Sequence, residues 1–147
     1  MLGHRHAPHQ PLERDQVCAA HRPISGDDLV AFQRLVRKVP VAEPVMRHAL
    51  DIVRASRPKD GTAPDLVKKF VAFGASVRAA QYLVLGGKAR ALTSGRYHVS
   101  FEDIRALTHP VLRHRIITNF HAQSEGVTSD DVVDRLLQAV PLPRSGM

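Results

Sequence analysis

Several groups of residues in this chain have types and spacings that enzymes use. Gly87-Lys88 fits the close of a phosphate-binding loop, G-x-x-x-x-G-K-[ST], whose glycine amides face the anion and whose lysine and hydroxyl follow on a helix. Tyr82 occupies the first glycine position, Ala89 replaces the hydroxyl residue and the surroundings read as helix interior, so no nucleotide cradle is encoded. No apolar strand ends in the paired carboxylates that would hold magnesium and activate water. Ser56-Arg57-Pro58-Lys59 has the S-x-x-K spacing of some acyl-transfer enzymes, but it falls at a helix end before proline without the companion motifs and reads as coincidence. His109, His114 and His121 lack the spacing that sets two metal ligands on one helical face, and read as surface or hydrogen-bonded structural histidines. His4, His6 and His9 sit close enough to collect a stray metal ion, but the cost of ordering a flexible arm opposes a real site.

The constellation that remains is Gly74-Ala75-Ser76-Val77-Arg78-Ala79. If Ser76 caps the helix that follows, Arg78 lies in the first turn, where a cation opposes the helix dipole at a cost of about 0.3–1 kcal/mol. Either an anion compensates that cost, or Arg78 is a surface arginine that pairs or stays solvated.

Elements at known positions must present these residues. Leu2 to Pro23 mixes histidine, proline and charge without a period and reads as an arm or loop. From Ser25, Asp27 and Asp28 suit a helix N-terminus, and Leu29, Phe32, Leu35, Val36 and Val39 follow at helical spacing. A second stripe runs through Val41, Val45, Ala49, Ile52 and Val53; Pro44 fits only in its first turn, and the helix stops near Arg57, before Pro58. After a loop at 58–64 comes a short amphipathic piece around Leu66, Val67, Phe70 and Val71. Apolar residues then run almost all round from Ala75 to Thr93, which predicts a central helix buried on several sides. Gly86 and Gly87 within it each cost about 1 kcal/mol relative to alanine, recovered if another helix crosses closely there. Gly95 stops that helix, and Ser100 with Asp103 resembles a capping box opening another through Ile104 and Leu107. His109 to Ile117 reads as a short helix or extended link, with a strand possible only at Ile116 to Phe120. Thr128 to Asp131 caps a last stripe of Val132, Val133, Leu136, Leu137 and Val140, ended by Pro141 and Pro143. The expected fold is all-α, a small bundle of five or six helices around a central helix near 75–94, with residues 144–147 a disordered tail.

Composition agrees. A chain of 147 residues is the size of one domain. It is 44% hydrophobic with 5% aromatics and no tryptophan, so its core is aliphatic, which favours helices. Lysine and arginine exceed aspartate and glutamate, 21 − 14 = +7, which makes an anionic partner reasonable. A helical nucleic-acid-binding module is the second reading, but Lys68, Lys69, Lys88, Arg90, Arg96 and Arg105 are scattered and aromatics for base stacking are few. An independent adaptor or scaffold is the third. The single cysteine, Cys18, excludes an internal disulfide and a multi-cysteine zinc site and reads as a packing or loop residue. No window approaches the ~18–20 apolar residues of a membrane span, and Met1 to Arg14 lacks the apolar core of a secretory signal, so the cytoplasm is expected.

Several segments together carry a family resemblance. Gly74-Ala75-Ser76-Val77-Arg78-Ala79, Ala89-Arg90-Ala91-Leu92, Gly95-Arg96-Tyr97-His98-Val99 with Glu102-Asp103-Ile104, and above all Val111-Leu112-Arg113-His114-Arg115 resemble the C-terminal helical lid of MoxR-type AAA+ ATPases. The likeness runs from about Pro23, through Val39-Pro40-Val41 and Arg54-Ala55-Ser56-Arg57-Pro58, to Leu142-Pro143. It implies a helical lid over 24–143, with residues 1–23 an arm or linker from a nucleotide-binding domain that this chain lacks.

The resemblance further implies ATP with magnesium as the cofactor of the complete ATPase and a ring-forming homo-oligomer, commonly a hexamer. It implies chaperone-like remodelling of partner proteins, often ones with a von Willebrand A domain. Arg78, beside Ser76, matches the sensor-2 arginine that reaches the terminal phosphates of ATP, a charge-assisted contact that would answer the dipole question. Two positions depart from the pattern. Val77 stands where the family usually has proline, which would preset the first turn, and Gly86-Gly87 stands where glycine then alanine is common. Arg113 and Arg115, flanking His114, either frame the bundle or face a neighbouring subunit, the former being favoured.

Overall fold

Residues 24–142 are described by the computed structural model; Cys18, His4, His6 and His9, the arm at 1–23 and the tail at 144–147 lie outside them. In chain order the elements are α1 (Gly26–Lys38), α2 (Glu43–Ala55), α3 (Asp65–Phe70), β1 (Val71–Phe73), α4 (Val77–Thr93), α5 (Phe101–Leu112), β2 (Ile117–Thr118), α6 (Phe120–Glu125) and α7 (Ser129–Ala139). The bundle is thus helical as the periodicity predicts, with seven helices among the described residues and one very short ribbon.

The described residues divide into two units between Phe32 and Gln33, so the boundary falls inside α1. In the first, the start of α1 is closed by a reciprocal pair: Asp28 N donates to Ser25 Oγ at 3.1 Å while Ser25 N donates to the Asp28 carboxylate at 3.0 Å. No residue of α1 is buried, although its apolar stripe has the helical period.

In the second unit the sequence punctuation is visible at nearly every helix end. Pro44 sits in the first turn of α2, where its missing N–H costs nothing. Full capping boxes, Ser100 with Asp103 and Thr128 with Asp131, open α5 and α7. Gly126, at φ +70°, closes α6 in the left-handed conformation. The aliphatic core is built from Ala49, Ile52 and Val53 of α2, Ala79 and Leu83 of α4, Ile104 and Leu112 of α5, and Val132, Val133 and Leu136 of α7. The closest pairing is α4 on α5. Its cause is the glycine pair: a β-carbon on Gly87 would lie 2.9 Å from Val99 Cγ1 and 3.3 Å from Ile104 Cδ1, and one on Gly86 2.9 Å from Leu107 Cδ1. The crossing expected at Gly86-Gly87 is therefore present.

Three local expectations change. Val71 leaves the amphipathic piece and joins β1, which pairs antiparallel with β2 through Val71 opposite Thr118 and Phe73 opposite Ile117. The segment from His109 continues α5 to Leu112, because Pro110 sits in the last turn and forfeits only one late hydrogen bond. Finally, α4 is central but not buried all round. Ala79, Ala80, Leu83, Gly87 and Ala91 face the core, while Val77, Tyr82 and Leu85 are 57%, 44% and 46% exposed. Val77, Val84 and Leu85 line an open groove of about 400 Å³ against Met46 and Leu50 of α2.

Candidate functional site

The start of α4 is built by the end of α2, eighteen or so residues earlier in the chain. Ser56, fully buried, donates from Oγ to Val53 O at 2.6 Å and accepts from Ala75 N at 3.0 Å. Arg57 donates from Nε to Ala75 O at 3.0 Å. Both polar groups of Ala75 are thus held by consecutive residues. Gly74 permits the approach: a β-carbon there would lie 2.2 Å from Ser56 O and 2.7 Å from Arg57 Cα.

Ser76 follows as the N-cap, with extended backbone (φ −80°, ψ 167°), but its side chain makes no capping bond; the turn is closed by Ala79 N donating to Ser76 O at 2.9 Å. The first turn of α4 carries no carboxylate. Arg78 is exposed in that turn and has no hydrogen bond or ion pair among the described residues. Free amides, the positive end of the helix dipole and an unpaired guanidinium therefore coincide, an arrangement that favours an anion.

Other candidates turn out structural. Asp103, 1% exposed, receives Arg96 through two short bonds, 2.7 Å to Oδ2 and 2.6 Å to Oδ1, with Arg90 Nε 3.3 Å away. The Arg96 guanidinium, helped by Ser100, holds this carboxyl far below the usual carboxylate range despite its burial. His109 lies between Asp130 (3.1 Å) and Asp134 (2.9 Å) on α7, and Arg113 joins Asp130 at 3.3 Å. Arg115 donates to Val111 O at 2.6 Å, contacts His114 Nε2 and covers the Tyr82 ring at 5.0 Å. The exposed His121 contributes its backbone carbonyl to Ser124 Oγ. These residues frame the bundle. Ser56 bonds to backbone, not to Lys59, so the S-x-x-K spacing carries no chemistry.

The scattered basic residues are largely engaged: Lys68 with Asp65, Lys69 with Glu125, Lys88 with Arg37 O, and Arg105 with Leu137 O. No cluster of three His, Cys, Asp or Glu suited to a metal occurs among the described residues, and no helix there is long and apolar enough to cross a membrane. The sequence singles out Arg78 and Ser76 as candidates but does not connect Ser56 and Arg57 with the start of α4, where the structure places them. Nothing in their local pattern points there, because Ser56 Oγ and Arg57 Nε bind the Ala75 backbone, which only the α2–α4 packing brings within reach.

Comparison with known proteins agrees with the helical fold. The family model described as the AAA lid domain matches residues 63–136. Chaperone MoxR1 of Mycobacterium tuberculosis is 30% identical over 125 residues, 85% of this chain and 33% of that protein. YeaC of Bacillus subtilis, itself uncharacterised, is 27% identical over 120 residues, 82% of this chain and 35% of its own length. A crystal structure of a candidate ATPase from Cytophaga hutchinsonii superposes with a TM-score of 0.76 at 28% identity, covering 80% of this chain and 36% of that one. The chain spans about a third of the length of each of these relatives.

Proposed function

The chain belongs to the AAA lid domain family and is of the MoxR type, and from that membership we propose that it serves as the sensor-2 lid of an AAA+ ATPase, coupling ATP binding and hydrolysis to chaperone-like remodelling of partner proteins. The observation that carries this reading is Arg78: a cation in the first turn of a helix, exposed, with no protein counter-charge among the described residues.

The residues present fit one part of ATP. An exposed guanidinium beside open helix amides suits terminal phosphates, whereas the described residues offer no cluster for magnesium. By the family resemblance, the metal ligands would belong to a separate nucleotide-binding domain. ATP bound with magnesium on that domain supplies the anionic phosphate chain and the free energy of its hydrolysis.

Arg78 donates charge-assisted hydrogen bonds to the terminal phosphates. Because α4 is packed into α2 and α5, the pull on the guanidinium reaches the helices packed with it, and that unit moves as a rigid body. Without a terminal phosphate Arg78 would lose that differential contact, and the lid would no longer be held. A ring-forming homo-oligomer, commonly a hexamer, clients with von Willebrand A domains and a cytoplasmic site of action follow from the same reading by resemblance.

The test has two arms. Purified chain alone neither hydrolyses ATP nor binds it tightly, so turnover above contaminant level contradicts the reading. In the ATPase assembled from this lid and its nucleotide-binding domain, Arg78→Ala lowers turnover or uncouples it from partner action while the helical content is retained; unchanged kinetics removes Arg78 from the mechanism.

A further inference from the structure

We propose that Arg57, backed by Ser56, is a positioning residue for Arg78: it fixes where α4 begins and so where the Arg78 guanidinium is presented. This rests on Arg78 meeting the terminal phosphates as proposed above.

The case starts from what α4 lacks. A helix start is ordinarily fixed by its own cap, a side chain accepting from an early amide, or by a carboxylate in its first turn. The α5 and α7 starts have such caps. The α4 start has neither, since Ser76 makes no side-chain bond and no first-turn residue is acidic. Its location is set instead from α2. Ser56 Oγ takes the Ala75 amide at 3.0 Å, Arg57 Nε takes the Ala75 carbonyl at 3.0 Å, and Gly74 lies against the Ser56 and Arg57 backbone. Ala75, 1% exposed and held on both sides, is three residues before Arg78.

Of these contacts only the one from Arg57 is made by a partly exposed side chain. Removing it leaves the buried Ser56 bond and the core intact and gives the 74–76 junction freedom to pivot. The position of Val77 shows how that freedom can be restored. Val77 is the first helical residue of α4 and the residue before it is already extended, so proline at 77 suits both positions and presets the first turn. The Arg57 clamp supplies, from the turn that follows α2, the rigidity that a proline would supply locally.

The test measures kcat and KM for ATP in the assembled ATPase, with circular dichroism confirming folding of each variant. Arg57→Ala lowers kcat/KM by about three- to tenfold, the scale of a small misplacement of a contacting group. The double variant Arg57→Ala with Arg78→Ala is no slower than Arg78→Ala alone, since the first residue acts through the second. Val77→Pro in the Arg57→Ala background recovers most of the loss, which repair of a purely structural defect elsewhere would not do. Three results overturn the proposal: Arg57→Ala with unchanged kcat/KM beside an impaired Arg78→Ala, losses that multiply in the double variant, or no recovery with Val77→Pro. If Arg78→Ala itself has no effect, the lid reading fails first and the positioning role falls with it.

Discussion

Gly74 meets Ser56 so closely that a β-carbon on the glycine would lie 2.2 Å from the serine carbonyl oxygen. The obstructing atoms are backbone, so no rotamer change relieves the contact. Gly74→Ala therefore lowers stability by about 2–3 kcal/mol, read from urea unfolding. Gly86→Ala is the control. There the nearest atom is a Leu107 methyl at 2.9 Å, which can move, and the gain in helix propensity of about 1 kcal/mol opposes the crowding; a loss as large as that at Gly74 would refute the distinction.

Arg78 lies at the unfavourable end of the α4 dipole without a partner among the described residues. In the isolated chain, Arg78→Ala leaves stability unchanged or raises it by up to about 1 kcal/mol. A clear fall in the melting temperature would mean that the guanidinium holds the fold together and is not free for a ligand.

Asp103 closes the α5 capping box and receives Arg96 on both carboxylate oxygens. Asp103→Ala costs about 2–3 kcal/mol by leaving Arg96 unpaired and the helix start open. Its carboxyl is held well below the ordinary value of 3.8 in the folded protein. The contribution is therefore present above that value and lost as pH falls through and below it. Acid unfolding followed by circular dichroism should begin at higher pH in the variant.

His48 is 1% exposed, rests edge-on against Phe101 with ring centroids 5.5 Å apart, and leaves Nε2 without a partner among the described residues. Burial, reinforced by the Arg105 charge and opposed by Asp51, pushes the imidazole below its ordinary 6.5. The unfolded chain then takes up a proton that the folded ring refuses, so stability falls as pH drops below about 6.5, by at most about 1.4 kcal/mol per pH unit. In His48→Leu the slope of unfolding free energy between pH 7 and 5.5 flattens; an unchanged slope would assign the titration to the other histidines.

The order of the helices was readable from the chain because each start and stop depends on residues a turn apart. Pro44, Ser100 with Asp103, and Thr128 with Asp131 act within three or four residues of the group they satisfy. Where the deciding partner was distant, local reading was incomplete. Val71 became a strand through Thr118, and the all-round apolar pattern of α4 proved to be one small-residue face against α5 and one open face.

The same division holds at the site. The chain by itself determined that Arg78 stands in the first turn of a helix, because dipole, spacing and cap position are properties of contiguous residues. Only the tertiary structure decided that this cation has no protein counter-charge among the described residues and that Ser56 and Arg57 set the start of its helix. Those contacts run from the Ser56 and Arg57 side chains to the Ala75 backbone nearly twenty residues away, and the backbone of Ala75 carries no side-chain signature that marks it as their partner.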